Sequence, residues 1–161
     1  MTTARAHPNI ALVKYWGKQE RLGNLPASPN LSITLAGLTT TTHVTGAAED
    51  TFVLNDATTD DPKLRRWLET LRGSFDIPPL AIHSSNDFPT SAGLASSASG
   101  FAALITAINA HCELGLDHAM CSEWARVGSA SAARSIFGGF VALVPPQWWA
   151  VPMAKKEHWP L

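Results

Sequence analysis

The sequence predicts an α+β fold in two layers, a sheet with its helices packed on one face. Three observations carry that prediction. The opening third is rich in β-branched and apolar runs, two later stretches place apolar residues at helical spacing with a capped third helix after them, and short apolar strands return between and after these helices. The 161 residues suit one domain with a true core, expected to span 1–161.

Residues 9–13 form an apolar run that reads as a strand, and 31–35 read as another, after a loop containing Gly23-Asn24 and prolines. Residues 39–45 are β-branched and polar, which suits a strand with one wet face, and 51–54 are expected as its hairpin partner. Asp61 followed by Pro62 opens a helix, because the carboxylate can cap free amides and proline is preset for the first helical position. Leu64, Trp67, Leu68 and Leu71 then give one apolar stripe, which Gly73 closes. Pro78-Pro79 marks a loop before a returning strand at 80–84. Phe101, Leu104, Ile105 and Ile108 predict a second helix with Gly115 as a stop, and Asp117 caps a third that reaches Val127. Residues 136–144 are apolar around Gly138-Gly139, which predicts a strand with close backbone approach. Beyond Pro145 the sequence carries Trp148, Trp149 and Trp159, read as exposed aromatics.

Hydrophobic residues make up 45% and charged residues 16%, which excludes disorder. The charged share is low for a free-standing domain, so some apolar surface is expected to face a partner. A net charge of -1 with no charged block gives no reason to expect nucleic acid or an anionic membrane. The longest apolar runs fall short of a membrane span, residues 1–9 lack the apolar core of a signal peptide, and a cytoplasmic protein is expected. Cys112 and Cys121 fit neither a zinc site nor a disulfide framework and are expected as packed, reduced thiols. His43, His83, His111 and His118 are scattered and read as ordinary histidines.

Three segments carry chemistry. The run Pro89-Thr90-Ser91-Ala92-Gly93-Leu94-Ala95-Ser96-Ser97-Ala98-Ser99 places small residues directly before a helix. Backbone amides can then approach an anion closely, and the helix N-terminus adds about half a positive charge. Ser96 and Ser97 could offer hydroxyls to phosphate oxygens or to magnesium. A serine-rich helix cap would look much the same. No Gly-Lys-Ser/Thr follows, so the segment is not a Walker A loop. In the second segment the strand at 9–13 runs into Lys14, Tyr15, Trp16, Gly17 and Lys18. Lysines there either reach solvent or meet an anion. In the third, Gly128-Ser129-Ala130-Ser131-Ala132-Ala133-Arg134-Ser135, small residues leave room for a ligand at one arginine, whose fork suits carboxylate or phosphate.

In order and wording these segments resemble the mevalonate diphosphate decarboxylases of the GHMP kinase superfamily. The resemblance rests on NIALVKYWGK at 9–18, LPASPNLSITL at 25–35, SSNDFPTSAGLASSAS at 84–99 and GSASAARSIFGGF at 128–140, with His158-Trp159-Pro160 as a further similar segment. It implies the GHMP kinase N-terminal fold, which is ribosomal protein S5 domain 2-like, with ATP and Mg2+ as cofactors. It also implies ATP-dependent phosphorylation of mevalonate 5-diphosphate at its tertiary hydroxyl, followed by loss of phosphate and carbon dioxide to give isopentenyl diphosphate. Carried over by position, Gly93, Leu94, Ala95, Ser96 and Ser97 would hold the ATP phosphates, with Ser96 also meeting the metal, and Ser84, Ser85 and Asn86 would lie near the nucleoside. Tyr15, Lys18, Ser129, Ala130 and Ser131 would hold the substrate diphosphate, and Arg134 would grip the carboxylate. Arg134 and Lys18 are the catalytic candidates.

Ala130 and Ala133 stand where family members commonly carry Gly and Cys. The family's catalytic aspartate lies in an Asp-Ala-Gly-Pro segment that this chain lacks, so the expectation is a missing C-terminal half or second chain and an inactive 1–161. A homodimer is a further expected partner. A phosphomevalonate decarboxylase, a mevalonate 3-kinase and a non-catalytic nucleotide-binding remnant are the competing readings.

Overall fold

The computed structural model describes residues 1–14, 17–20, 23–89 and 96–153. Its strands divide into two sheets with the helices between them, and the class is α+β. The first sheet holds β1 (Thr2–Ala6), β4 (Thr40–Gly46), β7 (Leu80–Asn86), β5 (Thr51–Leu54) and β6 (Ala57–Thr58), side by side in that order. The second sheet runs β2 (Asn9–Val13), β3 (Asn30–Thr34), β8 (Phe140–Leu143) and β9 (Ala150–Pro152), all antiparallel. The hairpin expected between β4 and β5 does not form. β7 enters between them, antiparallel to β4 and parallel to β5. The apolar β7 residues Leu80 and Ile82, both buried, secure that central position.

Helix α1 (Pro62–Arg72) begins as expected, with the Asp61 side chain accepting from the Lys63 amide at 2.8 Å. Its stripe Trp67, Leu68 and Leu71 is buried. Helix α2 (Ser96–His111) is apolar nearly all round, burying Phe101, Ala102, Ala103, Leu104, Ile105, Ala107 and Ile108. A helix of that composition belongs in the interior, and α2 packs against β1 and β4 on one side and against α3 (His118–Gly128) on another. Asp117 caps α3 by accepting from the Met120 amide.

Residues Ala130–Ile136 form a 3-10 helix packed on α2 and α3, where the sequence suggested only a run of small residues. It takes up Ile136, so the strand expected from 136 begins at Phe140. Trp148 is a correction: it is buried, packed with Ala133, Val141, Leu143 and Ala150, and Trp149 is half-buried. Trp159 and the segment His158-Trp159-Pro160 lie outside the described residues.

Candidate functional site

The N-terminal end of α2 opens onto a cavity of about 230 Å³. Ser84 and Asn86 from β7 meet Ser96 and Ser97 from α2 on its wall, beside Lys63 and Asp61 of the α1 start. Phe52, Leu54, Leu64, Ile82, Phe101 and Leu104 supply an apolar lining. A chain of hydroxyls fixes the polar side. Thr40 Oγ1 donates to Asn86 Oδ1 at 2.6 Å and lies 2.6 Å from the buried Ser99 Oγ, while Thr42 and Ser84 hydroxyls pair at 2.7 Å. An apolar slot edged by a few placed polar groups suits an aromatic base and ribose, with phosphates toward the helix start. Ser85 neighbours these residues on β7 but does not line the cavity. Gly93, Leu94 and Ala95, and Tyr15 of the second segment, lie outside the described residues.

The third segment adjoins this cavity. Ser97 Oγ and Ser129 Oγ are 3.4 Å apart, and Ser129 Oγ is 3.2 Å from Ser131 Oγ. Ala130, between Ser129 and Ser131 in sequence, is buried. Lys18 Nζ donates to Asn24 Oδ1 at 2.8 Å, and Asn24 Nδ2 donates to the carbonyl of Val127 at 2.7 Å, which ties the lysine to the end of α3. Asn24 was not singled out by the sequence, although its positive φ of 54° matches a Gly-Asn turn.

Lys63 was also missed. Its Nζ lies 5.1 Å from the centre of the Phe101 ring, and it lines both the cavity at the start of α2 and a second cleft of about 780 Å³ between α1 and α3. The residue as a whole is exposed, yet lost hydration at its ammonium pushes the pKa below the ordinary lysine value; Asp61 opposes that shift and Lys18 adds to it. The legible signal was a lysine in the first turn of a helix, where the dipole disfavours a cation.

Arg134 is 2% exposed, held by the 3-10 helix against the second sheet. Its Nε donates to Ser32 Oγ at 2.9 Å, Nη2 to Asn9 Oδ1 at 3.3 Å, and Nη1 to Asn30 Oδ1. Asn9 Nδ2 in turn donates to Ser135 Oγ and to the Ser131 carbonyl. The guanidinium is thus a buried tie among three strand residues, and a carboxylate reaching it would have to share or displace those oxygens. Among the described residues no group of three or more His, Cys, Asp or Glu could hold a metal ion. An ion held chiefly by nucleotide phosphates, with water and a Ser96 hydroxyl, fits this donor set.

A family model described as the diphosphomevalonate decarboxylase-like N-terminal domain matches residues 6–147. The chain belongs to this family. The diphosphomevalonate decarboxylase of Candida albicans is 41% identical over 177 aligned positions, which cover 94% of this chain and 49% of that protein. A structure of the mevalonate diphosphate decarboxylase from Enterococcus faecalis, described in terms of mevalonate diphosphate mediated ATP binding, matches with a TM-score of 0.87 and 41% identity, covering 95% of this chain and 51% of its own. A second structure, described as MDDEF in complex with MVAPP, AMPPCP and magnesium, matches at TM-score 0.83 and 42% identity, covering 92% of this chain and 48% of its own. These similarities bear out the GHMP kinase N-terminal fold. The chain spans about half the length of the curated relatives it matches.

Proposed function

We propose that residues 1–161 form the N-terminal, ATP-binding half of an ATP-dependent diphosphomevalonate decarboxylase of the mevalonate pathway of isoprenoid biosynthesis, acting in the cytoplasm. The observation that carries this is the convergence of Ser84, Asn86, Ser96 and Ser97 on one apolar-lined cavity next to Ser129 and Lys63, in a chain of this family. In this reading the nucleoside enters the cavity, and residues 93–97 receive the phosphates with Mg2+ bound near Ser96. ATP supplies the phosphoryl group for the tertiary hydroxyl of mevalonate 5-diphosphate.

The protein's part is positioning and charge stabilisation, since phosphoryl transfer needs little covalent chemistry from side chains. Lys18, Tyr15, Ser129, Ala130, Ser131 and Lys63 hold the substrate diphosphate; Arg134 meets the carboxylate, with Asn9, Asn30 and Ser32 setting its plane. A catalytic aspartate and the far wall of the cleft belong to a C-terminal half carried in the same or a second chain.

Calorimetric titration of 1–161 with a non-hydrolysable ATP analogue tests the core of this. Binding is expected in the unaltered chain and loss of it in Ser96→Leu, whose side chain would fill the phosphate end. Equal affinity in that variant would overturn the assignment. Lys18→Met is expected to weaken binding of the substrate diphosphate while leaving the nucleoside end unchanged.

A further inference from the structure

Helix α1 carries four cations, and they divide by side. Arg65 pairs with Asp60 and Arg72 with Asp50. Lys63 and Arg66, three residues apart and so on one helical face, line instead the cleft of about 780 Å³ between α1 and α3. Arg126 reaches the same cleft from α3. Among the described residues no carboxylate lines this cleft, and none forms a salt bridge with Lys63, Arg66 or Arg126. Asp61 and Glu123 act on Lys63 and Arg126 only through space. The whole chain sets 12 lysines and arginines against 13 aspartates and glutamates. An acid-free cleft with three cations is therefore a local arrangement, and not part of a basic surface.

The walls are fixed before any ligand arrives. Trp67 Nε1 donates to the Trp124 carbonyl at 2.9 Å and joins α1 to α3 at the cleft. Arg126 is 7% exposed, with Nε donating to the Trp148 carbonyl at 3.1 Å and Nη1 to the Gly23 carbonyl. A side chain at Gly23, whose φ is +92°, would press on that Nη1 at 3.2 Å, so a glycine lets the loop close on the arginine. Arg66 stands exposed on the other wall. Like charges gathered without a counter-charge repel, and a cleft lined by one sign of charge concentrates the opposite ion. Guanidinium groups take phosphate oxygens two at a time. Cations spread over two helices are met together by linked phosphates better than by one, and the volume lies in the range of about 300–1,000 Å³ usual for small-molecule sites. Of the described residues placed above at ATP or at the substrate, only Lys63 lines this cleft; Ser84, Asn86, Ser96, Ser129 and Ser131 do not. We infer that the α1–α3 cleft is a second anion site, separate from the nucleotide cavity and from the substrate-holding serines, which takes a molecule carrying two or more linked phosphates between Arg66 and Arg126. Its occupant ties α1 to α3 and stabilises the domain.

Inorganic pyrophosphate is the probe. It is titrated by calorimetry into 1–161 carrying Ser96→Leu, so that the phosphate end of the nucleotide cavity is blocked and the result does not depend on nucleotide binding. Binding is expected, roughly tenfold tighter than that of orthophosphate, together with a rise in Tm. Arg66→Gln should weaken it about tenfold and Arg66→Lys should restore part of the loss. Arg5→Gln, which removes an exposed charge from β1, should change it by less than about twofold. Circular dichroism checks that each variant folds. Amide NMR shifts locate the probe in the unsubstituted chain: Thr70, Trp124 and Val127 should move on adding pyrophosphate. Absent pyrophosphate binding, equal affinity in Arg66→Gln and Arg5→Gln, or unmoved Thr70 and Trp124 amides would overturn the proposal. Saturation with mevalonate 5-diphosphate should leave pyrophosphate affinity within roughly threefold. Full displacement would assign the cleft to the substrate's own phosphates and overturn the second site. The ATP titration stands apart: lost nucleotide binding with retained pyrophosphate binding would sink the ATP-binding reading and keep this site.

Discussion

A Cβ added at Gly128 would lie 2.2 Å from Cδ1 of Phe101, so the end of α3 can pass under α2 only without a side chain there. Phe101 cannot easily yield, because it stacks edge-on against Trp67 at 5.4 Å and carries the Lys63 ammonium on its ring. Gly128→Ala should therefore destabilise the domain by about 1–3 kcal/mol, the usual cost of overpacking, and loosen the Ser129 end of the cavity; urea unfolding measures the first effect. Cys121 permits a different prediction. Burial above all, with Asp117 adding to it, pushes its thiol up to about 11 against an opposing bond from Asn109. Its thiolate is thus scarce at neutral pH, and alkylation by iodoacetamide should be slow in the folded chain and rapid in urea. The small residues around Gly128 and the packed thiols were legible as a pattern. The partners were not, because Phe101, Asn30 and Ser32 approach from segments far away in sequence, and no local spacing encodes that approach.

Helices were the elements that local sequence fixed best. Asp61-Pro62 and Asp117 start α1 and α3 where capping chemistry places them, and the Leu64 to Leu71 stripe faces the core. Strand pairing was harder to read, since the alternation of β4 and β5 says that each has two faces but not that β7 lies between them. That insertion depends on a tie the sequence does not announce. Asp50 accepts from Arg72 Nη1 at 2.6 Å and Nη2 at 2.8 Å and from the Leu80 amide at 2.9 Å, joining the start of β5, the end of α1 and the start of β7. The Arg72 guanidinium is the main reason the Asp50 carboxyl lies below its ordinary pKa, with burial opposing it and the Leu80 amide assisting. A carboxylate whose folded pKa is depressed contributes stability above its unfolded pKa, and loses it as pH falls through the folded one. Stability should therefore be steady above about pH 5 and decline below about pH 4, and Asp50→Asn should remove about 1–2 kcal/mol at neutral pH together with part of that acid dependence. A variant with unchanged denaturation midpoints at pH 7 would show that the tie does not hold the sheet.

At the scale of the molecule Ser84, Asn86, Ser96 and Lys63 line one cavity, Ser129 lies 3.4 Å from Ser97 at its edge, and the outer face of the second sheet exposes apolar side chains. In-line transfer of a phosphoryl group to a tertiary hydroxyl requires both reacting oxygens to be held, and a single wall cannot fix the acceptor. On the proposed reading, an open site would also leave water around Lys18 and Lys63 and weaken their attraction for a substrate diphosphate. Absence of one positioned acid-base group typically costs about a hundred- to ten-thousand-fold in rate, and poor orientation adds to that loss. Nucleotide affinity should suffer less, because the apolar lining and hydroxyls of its cavity come from β4, β5, β7, α1 and α2 of this chain. The expected outcome is a separation of binding from turnover: purified 1–161 binds an ATP analogue yet forms isopentenyl diphosphate from mevalonate 5-diphosphate only near background. Adding a co-expressed C-terminal half should raise turnover by at least a hundredfold, and Arg134→Lys in that pair should lower turnover far more than nucleotide affinity, because a point charge cannot reproduce the planar fork that meets Asn9, Ser32 and a carboxylate together. Coupled assay of ADP and product release reads both effects, and robust turnover by 1–161 alone would show that this half carries a complete active site.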